Sequence, residues 1–263
     1  MDTTLIARAD MRDHVSDEEW KVRCDLAALY RLVAHYRMTD LIFTHISAKL
    51  PGDDETFLIN PYGMLFSEIR ASDLIRIDID GNVVDGRFES PYGVNRAGFV
   101  IHSAIHRARH DVMCVLHTHT AAGVAVSAQK GGLMPISQHA LKFYECLGYH
   151  RYEGIALDLE EQDRLVADLG SHRAMILENH GLLVCGRTLA EAFDHIVYLE
   201  RACQIQIAAC SKGADHILIP DPDVCRRTAA QFQMDSPTVR PYVALAWQAA
   251  LRDAQIDASN VYC

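Results

Sequence analysis

Two hydrophobic periods alternate along this chain, and each switch marks a change of element. Ser16-Asp17-Glu18-Glu19 is a capping box, in which the Ser16 hydroxyl accepts an amide hydrogen bond and Glu19 reaches back. Trp20, Cys24, Ala27, Ala28 and Leu32 then share one stripe and predict a helix to about Arg37. Strand-like segments follow at 42–50 and 57–60, with Pro51-Gly52-Asp53-Asp54 as the turn. Leu74 to Ile79 alternates apolar and polar, and Asp80-Gly81 suits a tight turn into Val83-Val84. A helix is predicted over 99–109, a strand over 112–118 and a small-residue helix over 121–129. Short strands are predicted near 133–136 and 154–156, flanking a helical or irregular piece that holds His139 and Glu145. A helix over 159–169 closes at Gly170, and a strand through 174–178 turns at Gly181 into Leu182-Leu183-Val184-Cys185. A second capping box, Thr188-Leu189-Ala190-Glu191, opens a helix to about Ser211. Asp221-Pro222-Asp223 places proline at the first position of a helix to about Gln233, and a last helix is predicted over 241–255.

Strands and helices interleave throughout, with no internal repeat, which predicts one α/β domain of layered sheet and helices. We divide the chain into an irregular leader (1–15), the domain itself (16–213) and a helical extension (214–263) that packs on the domain or on a neighbouring subunit.

Composition narrows the function. The chain has 263 residues, 49% of them hydrophobic and 23% charged, enough for a sizeable core. A formal net charge of -10 with no basic run argues against a nucleic-acid partner. The start of the chain has no apolar signal segment, and no run approaches a membrane span, so a cytoplasmic protein is expected, with no membrane partner. The eight cysteines are scattered without a CxxC pair and are expected to be reduced thiols.

The candidate chemistry sits where apolar strands end in histidine. Val112 to Leu116 runs into His117-Thr118-His119, and alternate strand residues project to one face about 7 Å apart. A lone pair of this kind is weak evidence, because strand histidines often serve packing or hydrogen bonding. The segment Ala174 to Leu177 leads to Glu178-Asn179-His180-Gly181, which offers a third imidazole beside a glycine that permits close approach. Three neutral imidazoles suit zinc, iron, cobalt or manganese as a divalent ion and leave an open coordination position.

These residues resemble the class II aldolase/adducin family over about 18–213. The anchors are His117-Thr118-His119 with the following Ala-Gly-Val-Ala-Val-Ser helix, and Glu178-Asn179-His180-Gly181 leading to the Glu191-Ala192 helix. The resemblance implies a three-layer α/β/α domain with a central, mostly antiparallel sheet. It also implies one divalent metal per subunit, by family usually zinc, held by His117, His119 and His180. A homotetramer with intersubunit sites is implied as well, and Tyr242 or Tyr262 would be available to reach a neighbouring site.

The chain departs from the sugar-phosphate pattern in three places. The family's Gly-Asn-x-Ser phosphate loop reads Thr44-His45-Ile46-Ser47, and its Thr-Pro-Ser-Gly loop reads Asn60-Pro61-Tyr62-Gly63. Its Ser-Ser-Glu segment, which carries a proton-shuttling glutamate, reads Arg96-Ala97-Gly98. That variant, Pro61 to Ile69, and Leu133 to Ser137 are similar to the adducin-type branch. The expected substrate contacts are Arg96, His45, Ser47, Asn60 and Gly63, with Arg96 suited to a carboxylate. Glu145, Tyr62 and His139 are the candidates to replace the missing acid. His102 and His106 stand at helical i, i+4 spacing and are read as packing and hydrogen-bonding residues.

A three-histidine metal can chelate a 2-hydroxy or 2-oxo acid and stabilise the charge left by carbon–carbon cleavage. Decarboxylation demands less of a base than aldol cleavage, so the lost glutamate points to a lyase acting on a small hydroxy- or keto-acid. Two alternatives stay open: a non-haem iron oxygenase on an aromatic acid with the same ligands, and a non-catalytic adducin-like interaction module.

Overall fold

A computed structural model describes residues 11–84, 93–154, 160–233 and 240–261. One sheet of seven strands organises the chain: β1 (His45–Leu50), β2 (Asp53–Ile59), β3 (Ile75–Asp78), β4 (Cys114–Thr118), β5 (Leu147–His150), β6 (Ala174–Leu177) and β7 (Gly181–Gly186). The spatial order is β3-β2-β1-β4-β7-β6-β5. Every pairing is antiparallel except β5 with β6, so the sheet is mostly antiparallel, as the family resemblance implied.

The described helices are α1 (Asp17–His35), α2 (Arg96–Ala108), α3 (Ala121–Ser127), the single turn α4 (Gln138–Leu141), α5 (Glu161–Leu169), α6 (Leu189–Ala209), α7 (Pro222–Gln233), α8 (Arg240–Asp253) and the turn α9 (Ala258–Val261). Both N-cap hydroxyls act as expected, but Glu19 turns to Arg23 and Arg76 instead of reaching back. The Ser16 hydroxyl accepts from the Glu19 N–H at 3.1 Å, and the Thr188 hydroxyl accepts from the Glu191 N–H at 3.1 Å. Glu191 reaches back one residue further than a strict box requires, to the Arg187 N–H at 2.7 Å.

Strand alternation splits the core into two faces. Ile46, Ala48, Leu116, Ile176 and Val184 pack toward α1 and α6. Val115, Met175, Leu183 and Cys185 pack the other way, against Val100, Ile101 and Ile105 of α2 and Leu165 and Leu169 of α5. These are the three layers. Trp247, Ala250 and Val261 of the C-terminal helices join the first of these cores. Met11, before α1, packs with Trp20 and Ala71. Among the described residues no helix is long and apolar enough to cross a membrane. The described cysteines are free thiols, and burial pushes the Cys185 thiol up to about 12.

Several element boundaries differ from the reading of the sequence: β2 opens at Asp53 rather than 57, inside the expected turn, and α2 at Arg96 rather than 99. The segment 133–136 is irregular, and the strand of that region is instead Leu147–His150. Its four residues show no alternation strong enough to see, because parallel pairing with the fully buried β6 defines it. The strand expected at 154–156 lies largely outside the described residues. β1 starts at His45 rather than 42, because the chain first makes a tight turn in which the Phe43 N–H donates to the Asp40 carbonyl at 2.8 Å.

Candidate metal centre

β4 and β7 are antiparallel neighbours with Thr118 opposite Leu182, so the end of one strand lies beside the start of the other. His117 belongs to β4, His119 follows one residue beyond it, and His180 immediately precedes β7. Glycine at 181 permits the approach, since a Cβ there would lie 2.3 Å from the Thr118 carbonyl oxygen. Asn179 takes a left-handed backbone (φ 54°), which asparagine tolerates better than most residues.

The three imidazoles converge through Nε2. The separations are 2.8 Å for His117–His119, 2.9 Å for His119–His180 and 3.3 Å for His117–His180. The opposite ring nitrogens are anchored. His117 Nδ1–H donates to the Leu182 carbonyl at 2.9 Å, and His119 Nδ1 lies 3.0 Å from Asp40 Oδ2. These partners assign the proton to Nδ1 and turn the Nε2 lone pairs toward the cluster. Burial holds the His117 ring well below the ordinary histidine pKa, with His180 and His119 adding to the effect. His180 falls to about 4, through burial first and then His119. Lone pairs crowded at about 3 Å repel each other, and a cation between them removes the repulsion. Neutral imidazoles bind such an ion at about 2.0–2.1 Å, so this donor set fits a divalent metal. Asp40 behind His119 is the carboxylate–imidazole arrangement that fixes a ligand ring and raises its basicity.

His117 is sealed in the core, while His119 and His180 are half-buried, so the cluster is reachable from one side. A narrow cleft lined by Tyr152, Glu178, His150 and His180 opens there. A separate cavity of about 460 Å3, lined by Arg31, His35, Leu41, Leu65, Phe66 and Ile256 among others, includes none of the three imidazoles.

The other expected site residues divide into groups. His45 is buried directly against the cluster, its ring centroid 5.4 Å from that of His117. Its Nδ1 lies 2.8 Å from His102 Nε2. Ser47 is fully buried, with its hydroxyl 2.6 Å from His102 Nδ1 and 2.7 Å from His106 Nε2. This hydrogen-bonded chain is the use to which the His102/His106 spacing is put. Asn60 is also buried, and its Oδ1 sits 2.8 Å from the Tyr30 hydroxyl, which accepts from the Asn60 N–H at 3.1 Å. Tyr62 is half-buried, and its N–H donates to the Gly93 carbonyl at 3.0 Å, tying this loop to the start of α2. Gly63 is exposed with φ 94°, and Arg96 is exposed at the first residue of α2. His139 and Glu145 make their contacts among the helices: His139 stacks 5.3 Å from Tyr198 of α6, and Glu145 pairs with Arg226 of α7 at 3.4 Å. Asp40 escaped the sequence reading, because an acidic residue in a turn far from the histidines carries no local signal.

Comparison with known proteins agrees with this geometry. The family model "Class II Aldolase and Adducin N-terminal domain" matches residues 24–207. A class 2 aldolase-type protein of Pseudomonas aeruginosa is 50% identical over 256 residues, covering 96% of this chain and 95% of its own. Alpha-adducin of Rattus norvegicus is 45% identical over 204 residues, which are 76% of this chain but 28% of that protein. Among solved structures, an aldolase II superfamily protein from Pseudomonas syringae shares 53% identity with a TM-score of 0.87, covering 93% of this chain and 96% of that one. L-fuculose 1-phosphate aldolase from Glaciozyma antarctica shares 27% identity with a TM-score of 0.81, covering 94% and 93%. A sheet that gathers three imidazoles at one strand junction, in a chain half identical to such a relative along nearly all its length, belongs to the class II aldolase and adducin family.

Proposed function

We propose that this chain is a divalent-metal-dependent lyase that breaks a carbon–carbon bond in a small 2-hydroxy or 2-oxo acid rather than in a sugar phosphate. One observation carries the reading: His117, His119 and His180 direct Nε2 to a single point, with the first two rings anchored from behind. A divalent cation there supplies Lewis acidity toward neighbouring substrate oxygens and stabilises the negative charge left when the bond breaks. The chain's own residues decide what else enters. Ser47 and Asn60 occupy positions of the family's phosphate loops, but their side chains are already engaged by His102, His106 and Tyr30. The Ser47 hydroxyl has only one proton and spends it within this chain, so it is not available to a phosphate oxygen. Arg96 at the start of α2 is assigned to the substrate carboxylate, and Tyr62, whose backbone is tied to Gly93 ahead of that helix, to proton donation; a homotetramer completes the proposal.

The test is anaerobic purification, metal analysis and assay of 2-hydroxy and 2-oxo acids for carbon dioxide or aldehyde release. Bound zinc or manganese with release in the absence of oxygen supports the lyase. Bound iron with oxygen uptake replaces it by the oxygenase. A second reading, a non-catalytic interaction module, is favoured by the 45% identity to alpha-adducin. It prevails if the protein binds no metal and His117→Ala changes nothing.

A further inference from the structure

α2 approaches the sheet at a point where it carries no side chain. Gly98 is buried in its first turn, and a Cβ built there would lie 2.4 Å from His45 Cδ2 and 2.7 Å from His45 Nε2. No real Cβ contact is that short, and the obstacle is an aromatic ring rather than a flexible chain end. Position 98 is therefore empty because His45 fills it. His45 in turn is held from three directions. Its backbone partner across the sheet is His117. Its Nδ1 is engaged by His102 Nε2, behind which lie Ser47 and His106, all fully buried. The residue before it, Thr44, is a buried β-branched residue at φ 68°, with a hydroxyl that meets no partner among the described residues. A β-branched residue in that region is strained, and such strain persists only where surrounding contacts enforce it. The turn that ends in Thr44 starts at Asp40, so one short segment delivers both the carboxylate behind His119 and the imidazole beside His117.

We propose that glycine at 98 and His45 form a steric couple that places the His45 imidazole beside the three-histidine centre, where it contacts an oxyanion ligand held there. His102, Ser47 and His106 are positioning residues that orient it. With no side chain at position 98 and a neutral imidazole in the space, this side of the centre carries no negative charge and favours an anionic chelating ligand. The ligand half of this inference rests on the proposed metal chemistry. The steric half does not.

Two measurements test it. The first is a thermal double-mutant cycle on the metal-free chain. Gly98→Ala alone is expected to lower Tm by roughly 3–10 °C through overpacking. In a His45→Ala background the same change is expected to be neutral or to raise Tm by about 2 °C, because alanine forms helix better than glycine. Equal shifts in the two backgrounds overturn the couple. The second is titration of the cobalt-loaded protein with oxalate, a two-oxygen chelating dianion, followed by the cobalt visible absorption. His45→Ala and the milder His45→Asn are expected to bind cobalt within about threefold of the parent but oxalate about tenfold or more weakly. Unchanged oxalate affinity with cobalt retained overturns the role of His45 alone. Failure of the parent protein to bind cobalt or oxalate overturns that role together with the proposed function.

Discussion

Two buried polar assemblies lie on different sides of this molecule, and they are built on opposite principles. In one, Lys142 forms an ion pair with Asp194 of α6, each side chain 6% exposed. Tyr242 of α8 donates to the same carboxylate at 2.9 Å and lies 2.6 Å from the Tyr198 hydroxyl. The Lys142 ammonium sits 4.4 Å above the Tyr198 ring. Burial lowers the lysine pKa, and Asp194 works against that. Each charge here has a counterpart, so the assembly is closed and ties the segment after α4, α6 and α8 together. In the other, three imidazoles bring nitrogens to within 2.8–3.3 Å of one another without any one consuming the others' lone pairs. Burial alone does not distinguish a site from a tie. What does is whether the polar groups satisfy each other or converge on something absent from the chain.

Breaking the closed assembly has the largest expected effect. Lys142→Met leaves Asp194 buried without its counterion and is expected to cost about 3–5 kcal/mol in urea unfolding, while zinc affinity stays unchanged. Replacing Lys142 and Asp194 together by apolar residues of similar size is expected to recover most of that loss. The open assembly shows the reverse profile. His117→Ala is expected to weaken zinc binding by about 100-fold or more in a chelator competition, with a smaller loss of metal-free stability than Lys142→Met. Asp40→Asn, which touches only the back of His119, is expected to weaken zinc binding about 10–100-fold. A stability that depends on Asp40 more than on Lys142 would erase the contrast.

The last effect, slight near neutral pH and growing as pH falls, concerns the histidine chain behind the site. Full burial, with Lys49 nearby, lowers the His106 pKa to about 3. His102 is also held well below its ordinary value, by burial and then by His106 and His117. The folded protein therefore binds fewer protons than the unfolded chain as pH falls below about 6.5. The stability these rings contribute is complete above that pH and is lost on acidification, for His106 down to about 3, at up to about 1.4 kcal/mol per pH unit for each ring. Urea midpoints of the metal-free protein measured from pH 7 to pH 5 are expected to fall, and His106→Asn is expected to flatten the slope.

Legibility followed sequence distance. The N-caps at Ser16 and Thr188 were readable because their amide partners are three residues away. The histidines at 117, 119 and 180 were readable because each ends a local apolar run. β5 was not, because a four-residue strand is defined by the strand beside it. Ser47 and Asn60 read as substrate contacts from their loops, yet their partners lie 55 and 30 residues away in sequence and engage them inside the fold. His139 and Glu145 read as candidate acids from their place ahead of the His180 strand, whereas their contacts with Tyr198 and Arg226 depend on how the helices pack.

The amino-acid order by itself determined the alternation of strands and helices, which is written in short-range periodicity, and the three imidazoles and the family resemblance, which are carried by local motifs. Only the tertiary structure decided that Asp40 stands behind His119, that His45 takes the space at Gly98, and that Lys142 finds Asp194. Those pairings join residues between 52 and 79 positions apart, and nothing in the local chain energy favours one distant partner over another until the sheet and helices have packed.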